Sequence, residues 1–158
     1  MVKPLLAIGY GNPGRGDDAL GLLLLDKLAA EADLSDIDLL SDFQLQIEYA
    51  LELRDRRQVW FFDASVSGTA PFCCTQLQAE YDRSYSSHAL SPAALLQVYW
   101  TVCGAPPPPA FLLSVRGEAF ALGDPVSAAA EFNLSAAWEF LRLQWPGASL
   151  KRQDKNDD

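Results

Sequence analysis

The sequence predicts an α/β three-layer sandwich with a mainly parallel central sheet. Three observations point there. Short apolar runs alternate with longer stretches at helical spacing. A glycine-rich turn follows the first apolar run directly, and carboxylates stand where successive apolar runs end. Strand, helix, strand in this rhythm builds a parallel sheet, and such sheets bind ligands at the carboxyl ends of their strands.

In order, Leu5–Ile8 reads as a buried strand feeding the Gly9–Gly16 turn. A helix follows from about Ala19 to Ala32, with Leu20, Leu23, Leu24 and Leu28 on one stripe. Ile37–Leu40 reads as a second strand and Ile47–Leu53 as a short helix. Val59–Phe62 is an apolar third strand ending at Asp63, and Phe72–Leu77 is β-rich. Ser91-Pro92 starts a helix that runs to about Val102 and stops at Gly104, because Ser supplies a cap oxygen and Pro suits the first helical position. Pro106–Pro109 is a stiff spacer. Ala110–Val115 is another strand, and Val126–Leu143 a last helix that Pro146-Gly147 ends.

Composition bounds the function. The chain has 158 residues, 49% hydrophobic, with 12 basic and 21 acidic side chains and a formal charge of −9. That length suits one domain over 1–150, which buries roughly 70% of its unfolded surface. Residues 151–158 form a polar tail expected to be disordered. No apolar run approaches the about 20 residues a membrane span needs, and the amino terminus does not read as a signal peptide. So acidic a surface repels a phosphate backbone. Neither a membrane nor a nucleic acid is an expected partner, and the expected compartment is the cytoplasm. The three cysteines, Cys73, Cys74 and Cys103, lack any metal-clamping spacing and read as buried thiols.

The chemistry-bearing residues are acids at the predicted sheet edge: Asp17 and Asp18 in the first loop, Asp42 after the second strand, and Asp63 after the third. Gly9-Tyr10-Gly11-Asn12-Pro13-Gly14 matches a dinucleotide-binding turn in form. However, Arg15-Gly16-Asp17-Asp18 intervenes before the helix and sets two carboxylates where a pyrophosphate would sit. Asp17 is expected to cap the helix, which leaves Asp18 free, since one cap needs only one acid. His88, the chain's single histidine, lies in a polar loop ahead of the Ser91 helix. Asp18, Asp63 and His88 together form a mixed oxygen and nitrogen donor set suited to a divalent ion such as zinc or nickel, with open positions left over.

These residues resemble the hydrogenase maturation endopeptidases, which remove a C-terminal extension from the large subunit of nickel–iron hydrogenases. Ile8-Gly9-Tyr10-Gly11-Asn12 and Asp17-Asp18-Ala19-Leu20-Gly21 resemble the family's opening, although Ala19 stands where a glycine is usual. Asp42-Phe43-Gln44-Leu45 with Glu48 resembles a segment of the branch serving cytoplasmic bidirectional hydrogenases. Val59-Trp60-Phe61-Phe62-Asp63-Ala64 resembles the strand ending in Asp-Ala. Ser86-Ser87-His88 with Ser91-Pro92 resembles the loop carrying a histidine, and Leu113 to Gly123 a late strand with a Gly-Glu element. The resemblance implies a phosphorylase/hydrolase-like fold. It also implies nickel-contacting, catalytic positions at Asp18, Asp63 and His88, with Asp42 as a further acid. The implied nickel arrives with the hydrogenase precursor, so no tightly held metal of the protein's own is expected. The opening also resembles peptidyl-tRNA hydrolase, but that enzyme needs a histidine shortly after the turn, where Asp17-Asp18 stands.

Overall fold

The computed structural model describes residues 2–81 and 90–145. His88 and the polar tail lie outside the described residues, as does Pro146-Gly147. Five strands, β1 (Leu5–Tyr10), β2 (Ile37–Asp42), β3 (Gln58–Ser65), β4 (Phe72–Gln76) and β5 (Ala110–Arg116), form one sheet in the order β2-β1-β3-β5-β4. All neighbours are parallel except β4, which runs antiparallel to β5 at one edge. Among the described residues three α-helices accompany them: α1 (Leu20–Glu31), α2 (Pro92–Cys103) and α3 (Ala128–Gln144).

The sheet is covered on both faces. Every residue of β1 is buried, and alternate side chains enter opposite layers. Leu5 and Ala7 pack with Trp60 and Phe62 of β3 beneath α1 and α3. Leu6, Ile8, Val59 and Phe61 pack on the other face beneath α2 and the 47–53 segment. This is the expected three-layer sandwich.

The caps explain where helices begin and stop. The Ser91 hydroxyl accepts from the Ala94 N–H at 3.1 Å with Pro92 in the first turn, and Gly104 ends α2 at φ 69°. Ser127 caps α3 in the same way, accepting from the Ala130 N–H at 3.1 Å.

Ile47–Leu53 is the expected short helix, wound as a 3-10 helix whose buried residues Ala50 and Leu53 are three apart, the period of that tighter winding. Two expectations are corrected. β2 and β3 run further than the apolar runs suggest, so Asp42 and Asp63 lie within their strands instead of just past them. Cys73 is exposed, and Cys74 and Cys103 are half-buried. The first two sit on β4, an edge strand with one neighbour only, where burial is incomplete.

At the amino ends of the strands, the buried Arg56 side chain donates to the carbonyls of Lys3 (2.8 Å) and Glu52 (2.9 Å) and to the Asp38 carboxylate. That guanidinium holds the Asp38 carboxyl below its usual range. Among the described residues no helix is long and apolar enough to cross a membrane.

Candidate active site

The first loop reaches the sheet's carboxyl edge through two very close approaches. A Cβ added at Gly21 would lie 2.4 Å from the Phe62 carbonyl oxygen and 2.8 Å from that of Tyr10. The first turn of α1 therefore rests directly on the backbone of β1 at Tyr10 and of β3 at Phe62. A Cβ at Gly11, whose φ is 146°, would lie 2.0 Å from the Asp18 carbonyl oxygen. Only glycine lets the chain fold back over Asp18 there. The Asn12 N–H then donates to Asp18 Oδ2 at 2.7 Å. Ala19, in place of the usual glycine, sits at φ −74°, ψ −7°, a conformation any L-residue adopts.

Asp63 belongs to the same edge. Its strand register with β1 pairs Gly9 with Phe62, so Tyr10 and Asp63 end the pairing side by side on the α2 face. The Asp63 Oδ1 accepts from the Ala64 N–H at 2.7 Å, and the carboxylate also pairs with the Tyr10 hydroxyl. Burial pushes the Asp63 carboxyl up to about 6, and the Asp18 charge adds to the rise, while the Ala64 N–H and the Tyr10 hydroxyl oppose it. Burial and the adjacent Asp63 likewise hold the Tyr10 hydroxyl protonated well beyond its ordinary range. Two carboxylates thus share a partly desolvated spot, an arrangement that a divalent cation relieves.

Replacing Asp63 by Asn should raise the stability of the protein, and the sign follows from the shift. The native carboxyl titrates near 6 and the unfolded one near 3.8. Above pH 6 both states are ionised and the native state carries the burial penalty, whereas below pH 4 both are neutral. The gain should therefore be full above pH 6, shrink between pH 6 and 4, and vanish below. Its size should be about 1–2 kcal/mol, since a half-buried group keeps part of its hydration. Thermal unfolding of metal-free protein at pH 8 and pH 4 checks this, and an equal effect at both would contradict it.

Asp42 stands one strand further out, in register with Tyr10. Both its oxygens are engaged, Oδ1 by the Phe43 N–H at 2.6 Å and Oδ2 by the Tyr49 hydroxyl. Those bonds, the tyrosine first, lower the Asp42 carboxyl, and in return Tyr49 is pushed up to about 12. A cleft of about 220 Å³ lined by Pro13, Leu22, Ser41, Asp42 and Phe43 opens beside the loop.

Asp17 departs from expectation. It makes no cap bond on its own helix. Its carboxylate instead crosses to Glu118, Ala119 and Ser127. Burial alone would raise it, but the Ser127 hydroxyl and three backbone N–H groups bring it below the ordinary aspartate value. Asp18, the other acid of the pair, accepts from the Asn12 N–H. The dinucleotide alternative loses its donors, because the N–H groups of Asn12, Gly14, Arg15, Asp17 and Asp18 are all bonded within the protein.

Asp18 and Asp63 are thus brought together, Asp42 stands across β1 on β2, and His88 is outside the described residues. Among the described residues no group of three His, Cys, Asp or Glu side chains is placed to hold a metal. Tyr10 is the site residue that the sequence reading passed over. Its signal was parity, because it falls on the same face of β1 as Leu6 and Ile8.

No family model and no curated protein matches the sequence. Solved structures do match. The hydrogenase maturating endopeptidase HybD of Escherichia coli is 21% identical, with a TM-score of 0.68 over 88% of this chain and 92% of that one. The [NiFe] hydrogenase maturation protease HycI of Thermococcus kodakarensis is 20% identical, with a TM-score of 0.66 over 89% and 90%. An endopeptidase of Escherichia coli, also 20% identical, reaches a TM-score of 0.70 over 92% and 96%. Across nearly the full length of each, the chain has the fold of the hydrogenase maturation endopeptidases.

Proposed function

We propose that this protein is an endopeptidase that removes the C-terminal extension of the large subunit of a nickel–iron hydrogenase once nickel has been inserted. The observation that carries the reading is the meeting of Asp18 and Asp63 at the carboxyl edge of a sheet whose fold is that of proteins named as hydrogenase maturation endopeptidases. On this reading the reaction takes place in the cytoplasm.

The nickel belongs to the substrate. Asp18 and Asp63 offer carboxylate oxygens and His88 an imidazole nitrogen, a donor set that borderline divalent ions accept. They fill positions left open by the precursor's own ligands and so hold the neighbouring peptide against the edge of the sheet. Fixing a scissile bond in this way contributes several kcal/mol through proximity. Water is then added across the bond, the acyl carbon taking the oxygen and the leaving amine a proton. Tyr10 orients Asp63 from below, and Asp42 with Tyr49 closes the β2 side.

The test is processing of purified precursor with and without nickel, followed by mass spectrometry. Loaded precursor should be cleaved, and empty precursor should be cleaved at least about 100-fold more slowly. Equal rates would remove nickel as the recognition handle. Metal contact also requires Asp63 ionised. Because its carboxyl titrates near 6 in the free protein, kcat/KM should fall about tenfold per pH unit below that point. A rate flat down to pH 5 contradicts the assignment.

A further inference from the structure

Asp17 is a carboxylate with no exposed surface, two residues beyond the exposed stretch Pro13–Arg15 of the first loop. Its Oδ2 accepts from the Glu118 N–H (2.7 Å), the Ala119 N–H (2.9 Å) and the Ser127 hydroxyl (2.6 Å), and its Oδ1 from the Ser127 N–H (2.7 Å). The Asp17 N–H answers by donating to the Ala119 carbonyl at 2.7 Å. A second stitch, from the Gly123 N–H to the Gly14 carbonyl at 2.8 Å, ties the same two loops nearby. A Cβ at Gly117 would stand 2.6 Å from the Asp17 Cβ, so the approach itself depends on a glycine.

Asp17 and Asp18 share one 3-10 turn, Gly16–Ala19. So short a turn holds its shape poorly alone. The described contact of the Asp18 carboxylate is a single N–H, that of Asn12. What locks the turn is the set of charge-assisted bonds on the other side of the backbone. A site that must be right to within about half an ångström needs such support.

We infer that Asp17 is a positioning residue: with Ser127 it clamps the first loop to the segment between β5 and α3 and thereby fixes the Asp18 carboxylate beside Asp63. The role of Asp18 in this statement rests on the proposed function; the clamp does not. A carboxylate is required because three donors converge on one oxygen and a fourth on the other. An amide would turn its own N–H groups against at least one of them.

The experiment uses the full chain carrying Asp17→Asn, with Ser127→Ala as a milder second variant if the first does not fold. The first readout is amide hydrogen exchange, independent of nickel. Exchange at Asn12, Glu118 and Ala119 should accelerate by at least about tenfold while the amides of β1 and β3 keep their protection. The second is the affinity for nickel-loaded precursor in a double-mutant cycle with Asp18→Asn. Asp17→Asn alone should weaken binding about tenfold or more, and should add nothing when Asp18 is already Asn, because it acts through that residue. Unchanged exchange at Asn12 overturns the clamp. Additive losses overturn the positioning role and leave a purely structural one. Normal binding by Asp18→Asn alone overturns the proposed function instead, and the exchange result then judges the clamp by itself.

Discussion

Asp63→Asn is expected to abolish cleavage of nickel-loaded precursor while yielding a folded protein that is more heat-stable at neutral pH than the parent. The amide keeps the shape of the side chain and its acceptor for the Ala64 N–H. It loses the charge that a divalent ion requires. His88→Ala should likewise abolish cleavage by removing the nitrogen donor. Misplacing a bound substrate by about 1 Å can reduce rates about 100-fold, and losing a metal contact outright should exceed that. Gel or mass analysis of precursor, with circular dichroism on each variant, checks both halves. Normal processing by either variant would end the metal-contact mechanism. A stable but inactive protein is the expected signature of a group whose environment suits chemistry rather than folding.

Gly21→Ala is expected to produce a large loss of stability for the addition of a single methyl group. The new Cβ would meet two backbone oxygens, those of Phe62 and Tyr10, at 2.4 and 2.8 Å. Neither can swing aside as a side-chain tip could, so α1 must lift from the sheet. Overpacking of this kind costs about 3 kcal/mol, a fall in Tm of about 6–12 °C for a chain this size. Since Asp18 precedes Gly21 by less than a helical turn, the same displacement should carry its carboxylate away from Asp63 and slow processing in parallel. Thermal unfolding and cleavage rates measured on one preparation test the link. An unchanged Tm would mean that α1 is free to shift and does not seat the site.

Much of this architecture was legible in the sequence, because its signals are local. The apolar run Val59–Phe62 announces a buried strand, and Asp63 is conspicuous as the charge that ends it. Ser91-Pro92 and Gly104 mark α2 at both ends through the backbone groups they satisfy. Asp17 was misread for the opposite reason. Its partners are 101 to 110 residues away, and nothing near it in the chain distinguishes an acid that caps its own helix from one that reaches another loop. Tyr10 was missed because its partner Asp63 becomes its neighbour only when β1 and β3 pair.

The buried guanidinium of Arg56 binds Lys3, Asp38 and Glu52 at the amino ends of the strands, opposite the acids. Substitutions around Arg56 should therefore alter heat resistance from the far end of the sheet, and leave the edge that meets a client in place.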